Sequence, residues 1–276
     1  KNDQDGKRPA SITVNLYANG TKIATVQLDA STNWSYTWTD LDKNANGAAI
    51  EYTVDEEAVP GYEASVNGPT ITNTHEVEKT EMSVSKVWND KEDQDGKRPV
   101  SVTVHLLANG EHTGLKVELS ESNGWSYTWT DLDKYADGEV INYTVYEESV
   151  AGYTATYTRD SADDNHVIIT NTYDPEKTVL TVQKIWSDNH DQDGIRPGSI
   201  VVELYANGVA TGVKLTITAA DHWKGTFADL DKYADGVEIV YTVKEEAVSG
   251  YTSSISVDEM TGTVTITNTH EVEKTE

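Results

Sequence analysis

Three predicted strands each place one polar residue on the face that should be buried, and the three residue types are Lys, Glu and Asn. Because side chains alternate between the two faces of a strand, Lys86 points to the same side as Val84 and Trp88. Glu147 and Asn171 align in the same way with apolar residues of their own strands. A buried ammonium or carboxylate without a partner costs several kcal/mol. Groups in these positions must therefore form an ion pair, lose their charge or react.

The same three residue types occur again further along the chain. Lys184, Glu245 and Asn268 lie on apolar strand faces by the same alternation. Two copies of one buried set indicate a specific role for it.

Internal repeats organise the elements that carry these residues. The string Asp-Gln-Asp-Gly-Xaa-Arg-Pro begins at Asp3, Asp93 and Asp191, which gives periods of 90 and then 98 residues. Later landmarks, such as Leu-Asp-Lys and Gly-Tyr, follow in the same order in every period. Each period therefore predicts one domain. The predicted domains are 1–76, 80–174 and 178–271, and 272–276 is the predicted start of a linker to a following repeat.

Segments within a period are short and rich in Val, Ile, Thr, Tyr and Trp, and Gly-containing turns separate them. No sustained 3.6-residue apolar stripe appears. About seven strands fit into each complete period, so the sequence predicts tandem immunoglobulin-like antiparallel β-sandwiches. The linkers 75–80 and 173–178 are brief, which favours a semi-rigid rod over loosely tethered domains.

Composition excludes several classes of protein. The net charge of -26 argues against nucleic acid and anionic membranes as partners. No apolar run is long enough to cross a membrane, and no signal peptide opens the sequence, so we interpret it as a mature fragment. Without cysteine there is no disulfide, thiolate metal site or cysteine nucleophile.

Five landmarks, at 84–90, 95–99, 143–147, 152–153 and 169–172, occur in order at the spacing of a known family. With them the chain closely resembles the B-type repeat domain of Gram-positive collagen adhesins, Cna-B. The resemblance implies a spontaneous isopeptide bond between a first-strand Lys and a last-strand Asn, assisted by a Glu. Carried onto this chain, it implies Lys86 with Asn171 and Glu147. In the third repeat it implies Lys184 with Asn268 and Glu245.

The implied chemistry explains why these residue types are needed. Desolvation lowers the pKa of a Lys and raises that of a Glu, which favours a neutral amine beside a neutral carboxylic acid. The amine is then a nucleophile, and the acid polarises the Asn carbonyl and carries the proton as ammonia leaves. Each domain would react once, so we do not expect a turnover enzyme. The alternative is a buried Lys–Glu ion pair with a hydrogen bond from Asn.

The first repeat keeps Glu56 and Asn73 but has no counterpart of 82–90, and so lacks the reactive Lys. We expect no self-made bond there. One interpretation is a window cut from a longer tandem array, out of phase with its domains. The other is that a strand of a neighbouring chain fills the gap and bonds to Asn73, which would give covalent filaments.

The near-identical repeats favour a stalk in an extracellular, cell-wall-attached surface protein, whose anchor lies outside this sequence and whose partners are its other domains. The alternatives are an adhesive module that binds a host protein or glycan, for which the aromatic run 125–129 is a candidate, and a pilin subunit. Residues 189–194 resemble part of a calcium loop but lack its bidentate Glu, so they predict a turn. We expect no metal and no cofactor.

Overall fold

The computed structural model describes residues 3–275, which form three consecutive all-β units. Lys1 and Asn2, at the start of the first predicted repeat, and Glu276, at the end of the predicted linker, lie outside the described residues. Between residues 3 and 275 no helix is long and apolar enough to cross a membrane.

The three units contain the same succession of strands, except that unit one, in its described residues, has neither the first strand nor the long strand that follows the 3-10 helix in unit two. Unit one contains β1 (Ser11–Ala18), β2 (Thr21–Asp29), a 3-10 helix (Ala30–Thr32), β3 (Asn44–Ala45), β4 (Ala48–Ala49), β5 (Tyr52–Glu56), β6 (Glu63–Asn67) and β7 (Thr70–Thr74). Unit two contains β8 (Lys79–Asn89), β9 (Ser101–Ala108), β10 (Glu111–Ser120), a 3-10 helix (Glu121–Asn123), β11 (Ser126–Asp133), β12 (Tyr135–Ala136), β13 (Glu139–Val140), β14 (Tyr143–Glu147), β15 (Thr154–Arg159) and β16 (His166–Thr172). Unit three contains β17 (Lys177–Ser187), β18 (Ser199–Ala206), β19 (Val209–Thr218), β20 (Lys224–Asp231), β21 (Tyr233–Ala234), β22 (Val237–Glu238), β23 (Tyr241–Glu245), β24 (Thr252–Val257) and β25 (Val264–Thr269).

Units two and three are sandwiches of a three-stranded and a four-stranded sheet. In unit two the strand orders are β10-β9-β14 and β11-β8-β16-β15, and unit three repeats them as β19-β18-β23 and β20-β17-β25-β24. Most pairs are antiparallel, as predicted, and they include the hairpins β9-β10 and β15-β16. The first and last strands of units two and three pair in parallel, with Ile169 opposite Lys86 and Ile266 opposite Lys184. This pair can be parallel because almost the whole domain separates the two strands, so no hairpin joins them.

The core of each complete unit lies between its two sheets. In β8 the buried residues are Met82, Val84 and Lys86, in the alternation that the sequence predicts. Val104 and Ile169 face them from the other strands and are fully buried. A continuous apolar layer therefore surrounds the polar side chain of Lys86.

Unit one has an open side. Its sheets are β2-β1-β5 and the separate hairpin β6-β7. In unit two, β8 pairs with both β11 and β16, but no strand in residues 3–74 takes that place. The segment 35–39, which matches β11 in sequence, is not a strand here. Without the central strand, its backbone has no ladder to join.

The same loop–hairpin contact joins each unit to the next. The backbone N–H of Gly138 donates to the carbonyl of Gln4 (3.0 Å), and the Gln4 side chain donates to the carbonyl of Tyr135 (2.7 Å). At the second junction Gly236 donates to Gln94 in the same way (3.0 Å). This repeated contact limits the relative movement of neighbouring units, in line with the predicted rod.

Glycine allows the backbones to approach closely at these junctions. A Cβ atom on Gly96 would lie 2.8 Å from the Cα atom of Gly236, so a larger residue does not fit without movement. Glu78 in the first linker also bridges Lys7 and Lys134, at 3.2 and 2.7 Å. Because these ion pairs are exposed, they contribute less than the backbone contacts to fixing the orientation of neighbouring units.

Candidate cross-linking site

Unit two brings Lys86, Glu147 and Asn171 together between its sheets. Lys86 comes from β8, Asn171 from the neighbouring β16, and Glu147 from the end of β14 on the opposite sheet. The Lys86 Nζ and Glu147 Oε1 atoms are 3.7 Å apart, and their side chains are 0% and 1% exposed. Asn171 is fully buried. The structure thus places all three predicted residues in one water-excluded cluster.

Burial shifts both ionisable groups towards their neutral forms. It lowers the pKa of Lys86 to about 8, although the nearby Glu147 carboxylate opposes this. It also raises the pKa of Glu147, against the opposing effects of Lys86 and Asn171. Transfer of a proton from the ammonium to the carboxylate is therefore much easier here than in water.

The polar atoms of this cluster are poorly satisfied. Neither carboxyl oxygen of Glu147 and neither carboxamide atom of Asn171 has a partner in normal hydrogen-bond geometry. The amine of Lys86 donates only to the carbonyl of Val87 (3.2 Å) and lies 4.2 Å from the centre of the Trp88 ring. Buried polar groups without partners are uncommon and costly in folded proteins. A reaction that joins the amine to the carboxamide would remove part of that cost.

Unit three contains the same cluster. Lys184 Nζ lies 3.4 Å from Glu245 Oε1, and the two side chains are 0% and 3% exposed. The carboxamide of Asn268 donates to Glu245 (3.2 Å). Burial lowers the pKa of Lys184 to about 8, and Trp186 covers its amine at 4.3 Å.

Unit one contains only the acid and the carboxamide. The carboxamide of Asn73 donates to Glu56 Oε1 (2.9 Å). Among the described residues no ion pair joins Glu56 to a lysine. A groove next to Asn73 has Ser35, Tyr36, Pro69 and Thr70 in its wall together with a larger set of apolar residues, which are Ile12, Val14, Leu28, Trp34, Trp38, Val54 and Ile71. It lies where β8 and β17 fill the other two units.

Sequence reasoning missed a buried carboxylate beside each complete cluster. Asp90 is 1% exposed and accepts hydrogen bonds from Arg98 Nη2 (2.6 Å) and the hydroxyl of Tyr153 (2.9 Å). The Arg98 guanidinium lies over Trp88, the same ring that covers Lys86. The matching residues of unit three are Asp188, Arg196 and Tyr251. Recurrence of Asp, Arg and Tyr at fixed positions in both complete repeats was the signal available in the sequence.

Comparison with known proteins identifies the family. The family described as the Cna protein B-type domain matches residues 1–74, 82–172 and 180–269. The chain belongs to this family. The resemblance seen in the sequence and the predicted all-β fold are both confirmed.

Among Cna B-type relatives, a collagen adhesin of Staphylococcus aureus is 44% identical over 257 residues, which are 93% of this chain and 22% of that protein. The chain therefore spans about a fifth of that relative's length. A crystal structure of two B repeat units of the collagen binding protein of S. aureus is 43% identical and superposes with a TM-score of 0.62, covering 98% of this chain and 71% of that one.

Proposed function

We propose that this chain is part of the stalk of a Gram-positive surface adhesin or pilus-like protein, located outside the cell and attached to the cell wall. Amide bonds from Lys86 to Asn171 and from Lys184 to Asn268 would stiffen it. The observation that carries this proposal is the pair of buried Lys–Glu–Asn clusters, each linking the first and last strands of its unit.

The bond forms by attack of the neutral Lys86 amine on the Cγ carbon of Asn171. Proton transfer from the ammonium to Glu147 supplies both the nucleophile and the acid, and the acid polarises the carboxamide oxygen. The C–N bond to the Asn nitrogen then breaks, and that nitrogen leaves as ammonia with a proton passed on by Glu147. Each unit reacts once and is not regenerated, so this chemistry is not that of a turnover enzyme.

The position of the bond suits a chain under tension. β8 leads into unit two and β16 leads out of it, and the bond would connect these neighbouring parallel strands. Force applied to the ends would then pass through the covalent link and bypass most of the fold. The bond would close a loop of 85 residues, which in the chain-entropy account of disulfides corresponds to roughly 4 to 5 kcal/mol of stability.

Intact-mass measurement tests this proposal. We expect the folded chain to be lighter than its sequence predicts by two molecules of ammonia, because each complete unit loses one. Lys86→Ala should lose only one ammonia relative to its own sequence mass, and peptide mapping should find the remaining bond between Lys184 and Asn268. Asn73→Ala is the matched control, because the incomplete unit forms no bond, and it should still lose two. A wild-type chain with its full sequence mass would contradict the proposal.

The S. aureus relative carries the name collagen adhesin, which supports the alternative that this chain binds a host ligand itself. We favour the stalk because the geometry that the two complete repeats share serves the protein's own cores and the junctions between its units. Partners would then be the other domains of the same surface protein.

In the part of the chain that the structure describes, the groove of unit one can accept a first strand, and this supports a second proposal, strand capture. Its apolar lining and the paired Asn73 and Glu56 match the surroundings of β8 in unit two. A strand with the pattern of 82–88, supplied by another molecule, would place its Lys beside Glu56 and form an amide bond with Asn73.

A synthetic peptide of residues 80–90 tests strand capture. We expect a covalent adduct whose mass is the sum of chain and peptide less one ammonia, because the peptide supplies the missing Lys. The same peptide with Arg in place of Lys86, and the Asn73→Ala chain, should give no adduct. Absence of an adduct with the unchanged pair at millimolar peptide would rule this function out.

A further inference from the structure

We infer that Tyr157 is a positioning residue that closes the bond-forming site of unit two, and that unit three lacks this closure. The inference rests on the proposed cross-linking function and concerns how fast each unit reacts. Its consequence is that the two complete units, although they carry the same Lys, Glu and Asn, form their bonds at different rates.

Tyr157 spans the gap between the two sheets beside Glu147. It lies on β15, the outer strand of one sheet, opposite the core residue Ile169, so its side chain leaves the strand on the inner side. Its hydroxyl accepts a hydrogen bond from the backbone N–H of Glu147 (3.1 Å), at the end of the outer strand β14 of the other sheet. The Tyr157 side chain therefore ties the two sheet edges together where Glu147 enters the core.

Glu147 is buried next to the point where Tyr157 meets its backbone. The Glu147 residue is 3% exposed, and burial raises its pKa. Burial also raises the pKa of Tyr157, so its hydroxyl stays neutral and adds no charge. The other charged groups that face the cluster are Lys86 on β8 and, behind its amine, Asp90 and Arg98.

Unit three has no equivalent of this hydroxyl. Ile255 pairs with Ile266 as Tyr157 pairs with Ile169, and the two residues are similarly exposed, at 48% and 44%, so they differ in the hydroxyl and its hydrogen bond and not in burial. A surface cavity in unit three is lined by Glu245 and Asn268, together with Lys244 and Ser253. The Glu245 side chain is 3% exposed and Asn268 is fully buried, so this cavity brings water to the edge of the cluster without exposing the reacting atoms.

Closure should accelerate the reaction because water favours the ionised forms of both Lys and Glu, whereas the reaction needs both of them neutral. The rate falls at high pH when the Glu loses its proton. A higher pKa of Glu147 moves this alkaline limb upwards, so unit two should keep its rate to a higher pH with Tyr157 than without it, and it should react faster than unit three.

The experiment measures bond formation in both units of the same newly made molecules. The full chain is synthesised in a cell-free system, synthesis is stopped with puromycin, and samples are quenched in acid at intervals at several pH values. Proteolysis and mass spectrometry then quantify the Lys86–Asn171 and Lys184–Asn268 peptides separately. Each unit serves as the internal reference for the other.

Three substitutions test whether Tyr157 causes the difference in rate between units two and three. Tyr157→Ile installs the residue of unit three and should slow unit two about tenfold, a fraction of the effect of a positioned general acid, and lower its alkaline limb. Tyr157→Phe removes only the hydroxyl and should have part of that effect. Ile255→Tyr should accelerate unit three and raise its alkaline limb, and it keeps the test decisive if the Tyr157 variants fold poorly.

The outcomes separate this inference from the function on which it rests. If neither cross-linked peptide forms in the wild-type chain, the cross-linking function itself fails. If both form, but the rate ratio and pH profiles are the same in Tyr157→Ile and Ile255→Tyr as in the wild type, the closure by Tyr157 is wrong. A slower rate in Tyr157→Ile with an unchanged pH profile would assign Tyr157 a structural role only and would also overturn the inference.

Discussion

Asn171→Ala is expected to turn unit two from a mechanically locked domain into an extensible one. The substitution removes the carboxamide but keeps the buried Lys86–Glu147 pair, so the fold remains while the bond cannot form. Under force in a single-molecule stretching experiment, the variant should release 85 residues that the proposed bond from Lys86 to Asn171 would otherwise hold. At about 3.5 Å per residue this adds roughly 300 Å of contour length.

The same variant should also lose thermal stability. Loss of roughly 4 to 5 kcal/mol from an 85-residue loop should lower the calorimetric unfolding temperature of unit two by about 20 °C or more, and should expose it to proteases. Asn268→Ala should do the same to unit three, and Asn73→Ala serves as the unbonded control. An unchanged unfolding temperature and unchanged extension in Asn171→Ala would show that no bond holds unit two.

The second large effect is expected for Asp188→Asn. Asp188 is 3% exposed and accepts hydrogen bonds from Arg196 Nε (2.9 Å), from the Tyr251 hydroxyl (2.9 Å) and from the backbone of Asp191 (3.1 Å). Neutralising it leaves the Arg196 charge without its partner beside Trp186. Removing one member of a buried pair typically costs about 3 to 5 kcal/mol, which denaturant unfolding of unit three should detect.

The pH dependence of the stability loss in Asp188→Asn, and a control substitution in an exposed ion pair, make this test specific for Asp188. Hydrogen bonding to Arg196 holds the pKa of Asp188 well below its usual range. The stabilising effect is therefore fully present above the unfolded pKa of about 3.9 and is lost as the pH falls through the lower folded value. The difference between wild type and Asp188→Asn should shrink in acid. Glu246→Gln breaks the exposed pair with Lys214 (2.6 Å) and should cost less than about 1 kcal/mol; an equal cost for both variants would contradict the role of Asp188.

Period-2 alternation was enough to predict that the Lys, Glu and Asn of the two complete repeats point into the core. Lys86, Asn171, Lys184 and Asn268 all lie in the core, and Glu147 lies with them. Alternation is informative here because each strand of an antiparallel sandwich has one inner face. Every second side chain therefore loses its contact with water. Sequence comparison between the repeats then grouped these residues into sets.

Other features could not be predicted from the alternation of residues along the chain. Nothing in the alternation indicates that β8 and β16 run in parallel, because pairing between strands about 85 residues apart depends on the path of the whole chain. The partners of Asp90 come from two separate loops, at Arg98 and Tyr153. The stretch around Tyr157 differs between repeats, but only the structure shows that its hydroxyl meets Glu147.

The amino-acid sequence alone thus determined the three-repeat organisation, the all-β class, the family resemblance and the identity of the buried Lys, Glu and Asn. These depend on periodicity and residue type, which are properties of the linear chain. Only the tertiary structure decided that each Lys meets its Glu within 4 Å, that the hydroxyl of Tyr157 meets the backbone of Glu147, and that a groove lies beside Asn73 in unit one. Those features depend on distances between residues remote in sequence, and such distances exist only once two sheets pack against each other.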